Sequence, residues 1–313
     1  MKNLDRFRAE TVARQDPGGS NRFGEMINRY LGAVSYPDPY AVVPVKTTAG
    51  APVKTTAGAP VTMTVTDGTV LVGVDDSAIS SIAVDHAAIE AELHGWALRL
   101  VNVRRTGADE AGESLLRRLT DRVHASAPSV VVSSRLAVGA HPAQLLLAAA
   151  GDADLLVVGH RHGATSTALG RSVADRVGRH HAGPVLVVRM PGWPAGPEFG
   201  ARPLVVAVDG SAPARAAAEF AYAEARVRGC DVTQLHLVGD RMDLARRLED
   251  RDGVRVHHRI MSGDPASALL AESARAAAVV IGRSRHEVIV PTLLGPAAHL
   301  LPQRALCPVF LVG

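Results

Sequence analysis

The chain has 313 residues, 47% of them hydrophobic and 4% aromatic, with 34 Lys and Arg against 31 Asp and Glu. That length suits two domains of roughly 100–200 residues each, and no apolar run reaches the roughly 18 residues of a membrane-spanning helix. The positive surplus lies in residues 1–60, which hold 8 basic and 5 acidic side chains. The rest of the chain is balanced, so no basic face marks it for nucleic acid.

In chain order, the opening "MKNLDRFRAETVARQDPGG" lacks the apolar core of a secretory signal. Cys230 and Cys307 form no CxxC pair and read as packing thiols, which suits a reducing cytoplasm. The octet "PVKTTAGA" at 44–51 recurs unchanged at 52–59, so residues 1–65 read as a flexible extension with little to bury. Within it, a short helix over Leu4–Arg14 and a docking segment, "FGEMINRYLGAV" at 23–34, are the local features.

From residue 69, short apolar runs alternate with amphipathic stretches. A first unit over 66–190 has expected strands at 70–75, 98–103, 129–137, 154–159 and 184–189. Its expected helices are at 79–95, 110–126, 142–150 and 172–182. "PGWPAGPEFGARP" supplies the linker, placed at 191–202. A second unit over 203–313 repeats the pattern, with strands at 204–209, 231–238, 254–260, 277–282 and 308–312. Its helices fall at 213–228, 240–250, 265–275 and 295–304. The duplication is explicit. Pro142 precedes Gly159 by 17 residues, and Pro265 precedes Gly282 by the same 17. Continuous apolar strands alternating with helices predict an α/β fold, each unit a five-stranded parallel sheet with helices on both faces.

Open parallel sheets bind ligands beyond the carboxyl ends of their strands, where the strand order reverses. Two segments per unit lie there: the turns Asp75-Asp76-Ser77 and Asp209-Gly210-Ser211, and the polar loops 159–172 and 282–296. A loop feeding a helix N-terminus offers backbone N–H groups to phosphate, and an Asp at a strand end accepts bonds from a ribose hydroxyl. The plain alternative is that these Asp and Ser residues cap the following helices. A Walker A loop requires a lysine, yet Lys2, Lys46 and Lys54 all precede residue 61. No Gly-x-Gly-x-x-Gly follows a first strand, and no nucleophile–base–acid set is evident. His160 and His162 alternate on a loop without a Cys or carboxylate cluster, so no metal site is expected.

The segments "VLVGVDDS" and "DADLLVVGHRHG…LGRSVADRVGRHHAGPVLVVR", with their second-half counterparts, resemble the universal stress protein family over about 70–189 and 203–313. The resemblance implies two tandem Rossmann-like domains paired through their last strands, 184–189 and 308–313, as an internal pseudo-dimer. It leaves room for a further homodimer. It also implies a stress-response role with ATP as bound ligand, at most slowly hydrolysed, and leaves accompanying Mg open. ATP-binding members carry Gly-x-x-Gly, nine residues, then Gly-Ser/Thr. Here Gly159 matches the opening glycine, His162 and Arg171 replace the next two, and Ser172 keeps the hydroxyl; Gly163 and Gly170 lie beside the replaced positions. By this resemblance the first-half site comprises Asp75, Ser77, Val103, Gly159, Arg161, Gly163, Gly170, Arg171, Ser172 and Val173. The second, weaker site comprises Asp209, Ser211, Gly282 and Gly295, where Arg285 and Pro296 break the motif. An interaction or dimerisation module without nucleotide is the competing reading, and a slow ATPase the third.

Overall fold

The computed structural model describes residues 22–33, 68–105, 109–160, 172–190, 199–237, 247–261, 263–283 and 294–313. After helix α1 (Arg22–Ala33), the first half runs β1 (Thr69–Val74), α2 (Ala78–His94), β2 (Ala97–Arg104), α3 (Asp109–Ser126) and β3 (Val132–Val138). It closes with α4 (Pro142–Ala149), β4 (Leu155–His160), α5 (Val173–His180) and β5 (Val185–Arg189). A 3₁₀ turn, Phe199–Ala201, leads into β6 (Leu204–Val208), α6 (Ala212–Arg228), β7 (Val232–Leu237), β8 (Arg247–Arg251) and β9 (Val254–Met261). The chain then forms α7 (Pro265–Ser273), β10 (Ala278–Gly282), α8 (Gly295–Arg304) and β11 (Val309–Val312).

The strands form one sheet in the order β3-β2-β1-β4-β5-β11-β10-β6-β7-β9-β8. Within each half the five repeated strands are parallel, and order reverses between β1 and β4 and again between β6 and β10. The halves meet where β5 pairs antiparallel with β11, Leu186 opposite Phe310. Arg283, just past β10, donates from Nη2 to the His181 and Gly183 carbonyls at 2.7 Å each. In return Arg189, ending β5, donates to the Ala305 carbonyl at 3.1 Å.

Alternate strand residues face opposite layers, as a pleated strand requires. Val70 and Val72 pack beneath α1, α2, α3 and α6, with Ile89, Leu100 and Phe220. Leu71 packs beneath α4, α5, α7 and α8, with Leu146, Ile281 and Leu301. Each such buried aliphatic side chain contributes about 1.5–3 kcal/mol.

Three expectations need correction. A flexible extension through residue 65 does not describe 22–33, where Phe23, Met26, Ile27 and Tyr30 are buried as one stripe of α1. Their i, i+3, i+4, i+7 spacing gives the helix an apolar face that packs with α2, α3, α6 and the 3₁₀ turn. For the same reason the linker's end is not free, since Phe199 is buried with its ring centroid 6.0 Å from that of Phe23. The expected helix over 240–250 is not formed at its C-terminal end, where Arg247–Arg251 is β8, antiparallel to β9. Asp252 (φ 53°) and Gly253 (φ 81°) make the two-residue turn that Asp-Gly favours in a hairpin. The second half therefore carries a sixth, antiparallel strand. The expected helix Leu4–Arg14 lies outside the described residues.

Candidate functional site

In the first half, the register places Gly73 opposite Val158 and Val74 opposite Asn102. The carboxyl ends of β1, β2 and β4 thus come level at the point where strand order reverses. Asp75 leaves β1 there. Its Oδ1 accepts from the Ser77 backbone N–H at 2.9 Å, from the Ser77 hydroxyl and from the Ser80 hydroxyl at 3.0 Å. Ser80 Oγ in turn accepts from the Asp75 N–H at 2.9 Å. Three donors on one oxygen fix the carboxylate, and charge-assisted bonds of this kind are the stronger ones.

The neighbouring strand holds the same turn from the side. Asn102, fully buried on β2, donates from Nδ2 to the Val74 carbonyl at 2.7 Å and accepts from Arg104 Nε at 2.9 Å. Arg104 reaches the Asp76 carboxylate at 2.5 Å. Val103, between them and partly buried, packs toward the face of α4. Ser77 precedes α2 without a side-chain cap bond, because its hydroxyl serves Asp75.

Gly159, next to last in β4, lies against α2, and a Cβ built on it would lie 2.9 Å from Ile79 Cγ1. Ser172 caps α5 reciprocally: its Oγ accepts from the Asp175 N–H at 3.0 Å, and its own N–H donates to Asp175 Oδ2 at 3.2 Å. This is a capping box. His160, buried after Gly159, brings Nε2 to 3.9 Å from Asp175 Oδ1. Val173 opens α5 with its side chain 38% exposed, an apolar surface at the mouth of the site. Arg161, Gly163, Gly170 and Arg171 lie outside the described residues.

The second half builds the corresponding edge differently. Asp209 accepts from the Ser211 N–H at 3.0 Å, but Ala214 stands where the first half has Ser80. Ser211 instead caps α6, accepting from the Ala214 N–H at 3.3 Å. Gly210 adopts φ 78°, a left-handed value that Asp76 does not share. At Gly282 an added Cβ would lie 2.3 Å from the Pro213 carbonyl oxygen, which is main chain rather than side chain. Gly295 opens α8, whose N-cap Leu294 offers no side-chain bond and whose first turn contains proline. Arg283, the residue after Gly282, is spent on the junction between the halves. Beside this edge lies a cavity of about 540 Å³, lined among others by Asp209, Arg215, Tyr222, His236 and Arg251.

Sequence reasoning missed Ser80, Asn102, Arg104 and Asp175. Asp175 carries a readable signal, an acidic residue three after a Ser. Asn102 and Arg104 carry none, because their role depends on strand order.

The family profile of the universal stress protein family matches residues 68–189 and 200–255. A universal stress protein of Mycolicibacterium smegmatis is 29% identical over 290 residues, covering 79% of this chain and 97% of that protein. One from Mycobacterium tuberculosis is 30% identical over 201 residues, covering 55% of this chain and 63% of its own length. The crystal structure of a universal stress protein from Archaeoglobus fulgidus superposes with a TM-score of 0.63 at 20% identity, over 78% of this chain and 95% of that one. With two matched segments on a doubled parallel α/β sheet, the chain belongs to the universal stress protein family.

Proposed function

We propose that the protein is a stress-response regulator that binds one adenine nucleotide, ATP, at the carboxyl edge of β1 and β4, and that its second half has lost that ability. The observation that carries this reading is what lies against the two equivalent glycines. Behind Gly159 is the Ile79 side chain, whereas behind Gly282 is the Pro213 carbonyl, part of the main chain. The first edge is crowded by one side chain and the second by the start of a helix, so the first is the easier of the two to adjust.

The first-half residues fit an adenine nucleotide. Asp75 is held rigid where a ribose hydroxyl can donate to it, Val103 and Val173 offer apolar contact for a base, and the start of α5 faces the phosphates. One feature opposes binding: the Asp175 carboxylate already occupies the Ser172 N–H. A phosphate group at that N–H displaces Asp175 and meets its charge, so triphosphate affinity is held down. The paired β5 and β11 make the two halves an internal pseudo-dimer, in which the second half supports the first.

Equilibrium binding of labelled ATP to the full chain tests this reading, with phosphate release followed in the same samples. Saturable binding that is weakened by Asp75→Ala and by Ser172→Ala supports it. Release abolished by the same changes extends it to slow hydrolysis. No binding by the unmodified protein overturns it in favour of an interaction module, a reading that the occupied capping box favours.

A further inference from the structure

Where α2 meets α6, four ionisable side chains converge in the interior, away from both carboxyl edges. Glu90 and His94 lie one turn apart on α2, and Glu224 and Arg228 one turn apart on α6. Arg228 donates from Nε to Glu224 Oε1 at 2.6 Å and from Nη2 to Glu90 Oε1. The second carboxylate oxygens turn toward His94, whose Nε2 is 3.1 Å from Glu224 Oε2 and 4.0 Å from Glu90 Oε2. Glu90, Glu224 and Arg228 are each 1% exposed, so bulk water does not solvate them. Helix α1 covers the group, with the Arg228 guanidinium 4.1 Å from the Phe23 ring centroid.

Two carboxylates against one guanidinium leave one negative charge too many for a buried group, which a proton on either Glu90 or His94 would cancel. Among the described residues, moreover, no donor reaches Glu90 Oε2. One proton on that oxygen cures both faults. Protonated Glu90 becomes a donor facing Glu224, whose Oε2 His94 Nε2 already contacts at 3.1 Å, and the two carboxyl groups and Arg228 then sum to zero. A divalent metal at these three atoms would leave a net positive charge instead. We propose that Glu90 carries a buried proton that holds α1 docked across the seam of the two halves, and that losing it releases α1. Water reaches the new carboxylate when α1 lifts.

The electrostatics agree with this count. Burial, reinforced by Glu224 and opposed by Arg228, pushes Glu90 up to about 8. Burial also works to raise Glu224, but Arg228 and then His94 overcome it and hold that carboxyl well below the usual range. The groups facing Glu90 are His94 from its own helix and Glu224 and Arg228 from α6. Beyond Arg228 lies Cys230, whose thiol burial pushes up to about 12. From α1 and β11 come the Phe23 and Phe310 rings. Farther along α1, Arg29 pairs with Glu92, and Tyr30 lies near the Asp85–Arg122 pair. The docked state binds a proton that the released state gives up. Docking is therefore fully stabilised below the ordinary carboxylate value of 4.5, weakens as pH rises to about 8, and levels off above it.

Hydrogen exchange of residues 22–33, corrected for intrinsic rates, tests this in the full chain from pH 5 to pH 9. The opening equilibrium of α1 should rise roughly tenfold or more between pH 5 and 8 and then flatten. Glu90→Gln should remove the pH dependence, while His94→Gln should keep it. Opening that is flat in the unmodified protein, or a pH window that survives Glu90→Gln, overturns the proposal. So does a window abolished by His94→Gln, or stoichiometric zinc binding that either variant abolishes. Should Glu90→Gln not fold, the unmodified protein alone decides. A buried carboxylic-acid C=O infrared band present at pH 7 and lost near the Glu90 value of about 8 is expected, and its absence at pH 7 refutes the assignment.

Discussion

The two halves share the order of their five repeated strands and the helix pairs α2/α6, α4/α7 and α5/α8, yet they close their carboxyl edges with different materials. In the first half, Ser77 and Ser80 fix Asp75, a side chain backs Gly159, and a capping box finishes α5. In the second, Ala214 replaces Ser80, the Pro213 main chain backs Gly282, and α8 begins without a side-chain cap. After duplication the shared core tolerates little change, because interiors pack at crystal-like density. The loops and helix starts are free to diverge. A fold can thus be kept twice while the two carboxyl edges built on it diverge.

The sharpest way to break this comparison is at the two glycines. Gly282→Ala should destabilise the protein by about 3 kcal/mol, since its Cβ would strike main chain that cannot yield without a backbone shift. Gly159→Ala should cost less, about 1–2 kcal/mol, because the atoms it meets belong to the Ile79 side chain rather than to main chain, though that β-branched side chain has little rotamer freedom. Urea denaturation midpoints measure both, and equal costs would erase the distinction. The caps come next. Ser172→Ala should cost about 1 kcal/mol and Ser211→Ala less, as only the former loses a reciprocal pair. The last expected effect is a gain: Asp175→Asn should raise ATP affinity about two- to threefold by removing a carboxylate from the phosphate end. Weaker binding in that variant would mean that Asp175 supports the ligand.

Much of the fold was legible in the sequence. Runs such as "VLVGV" and "LLVV" are short, continuous and apolar, which suits strands buried on both faces, and their observed bounds fall within three residues of those expected. The second-half hairpin was not read, because Arg247, Glu249 and Arg251 present a charged strand with no apolar run. Its Asp-Gly turn was the available signal. The α1 region was legible as a docking segment at 23–34 but not as a packed helix, although Phe23, Met26, Ile27 and Tyr30 show helical spacing. At the candidate site, Asp75 was legible as a strand-end residue, and Gly159 and Ser172 as positions of the motif that the resemblance implies. Ser80, Asn102 and Arg104 were not, since each acts on a turn that only the folded sheet brings to it.

Asymmetry between the halves is tested most directly by hydrogen exchange of the full chain with and without saturating ATP. Added nucleotide should slow exchange in the peptides spanning 69–80 and 172–180 and leave those spanning 204–216 and 295–304 unchanged. Protection of equal size in both halves, or protection confined to the second, would contradict the account.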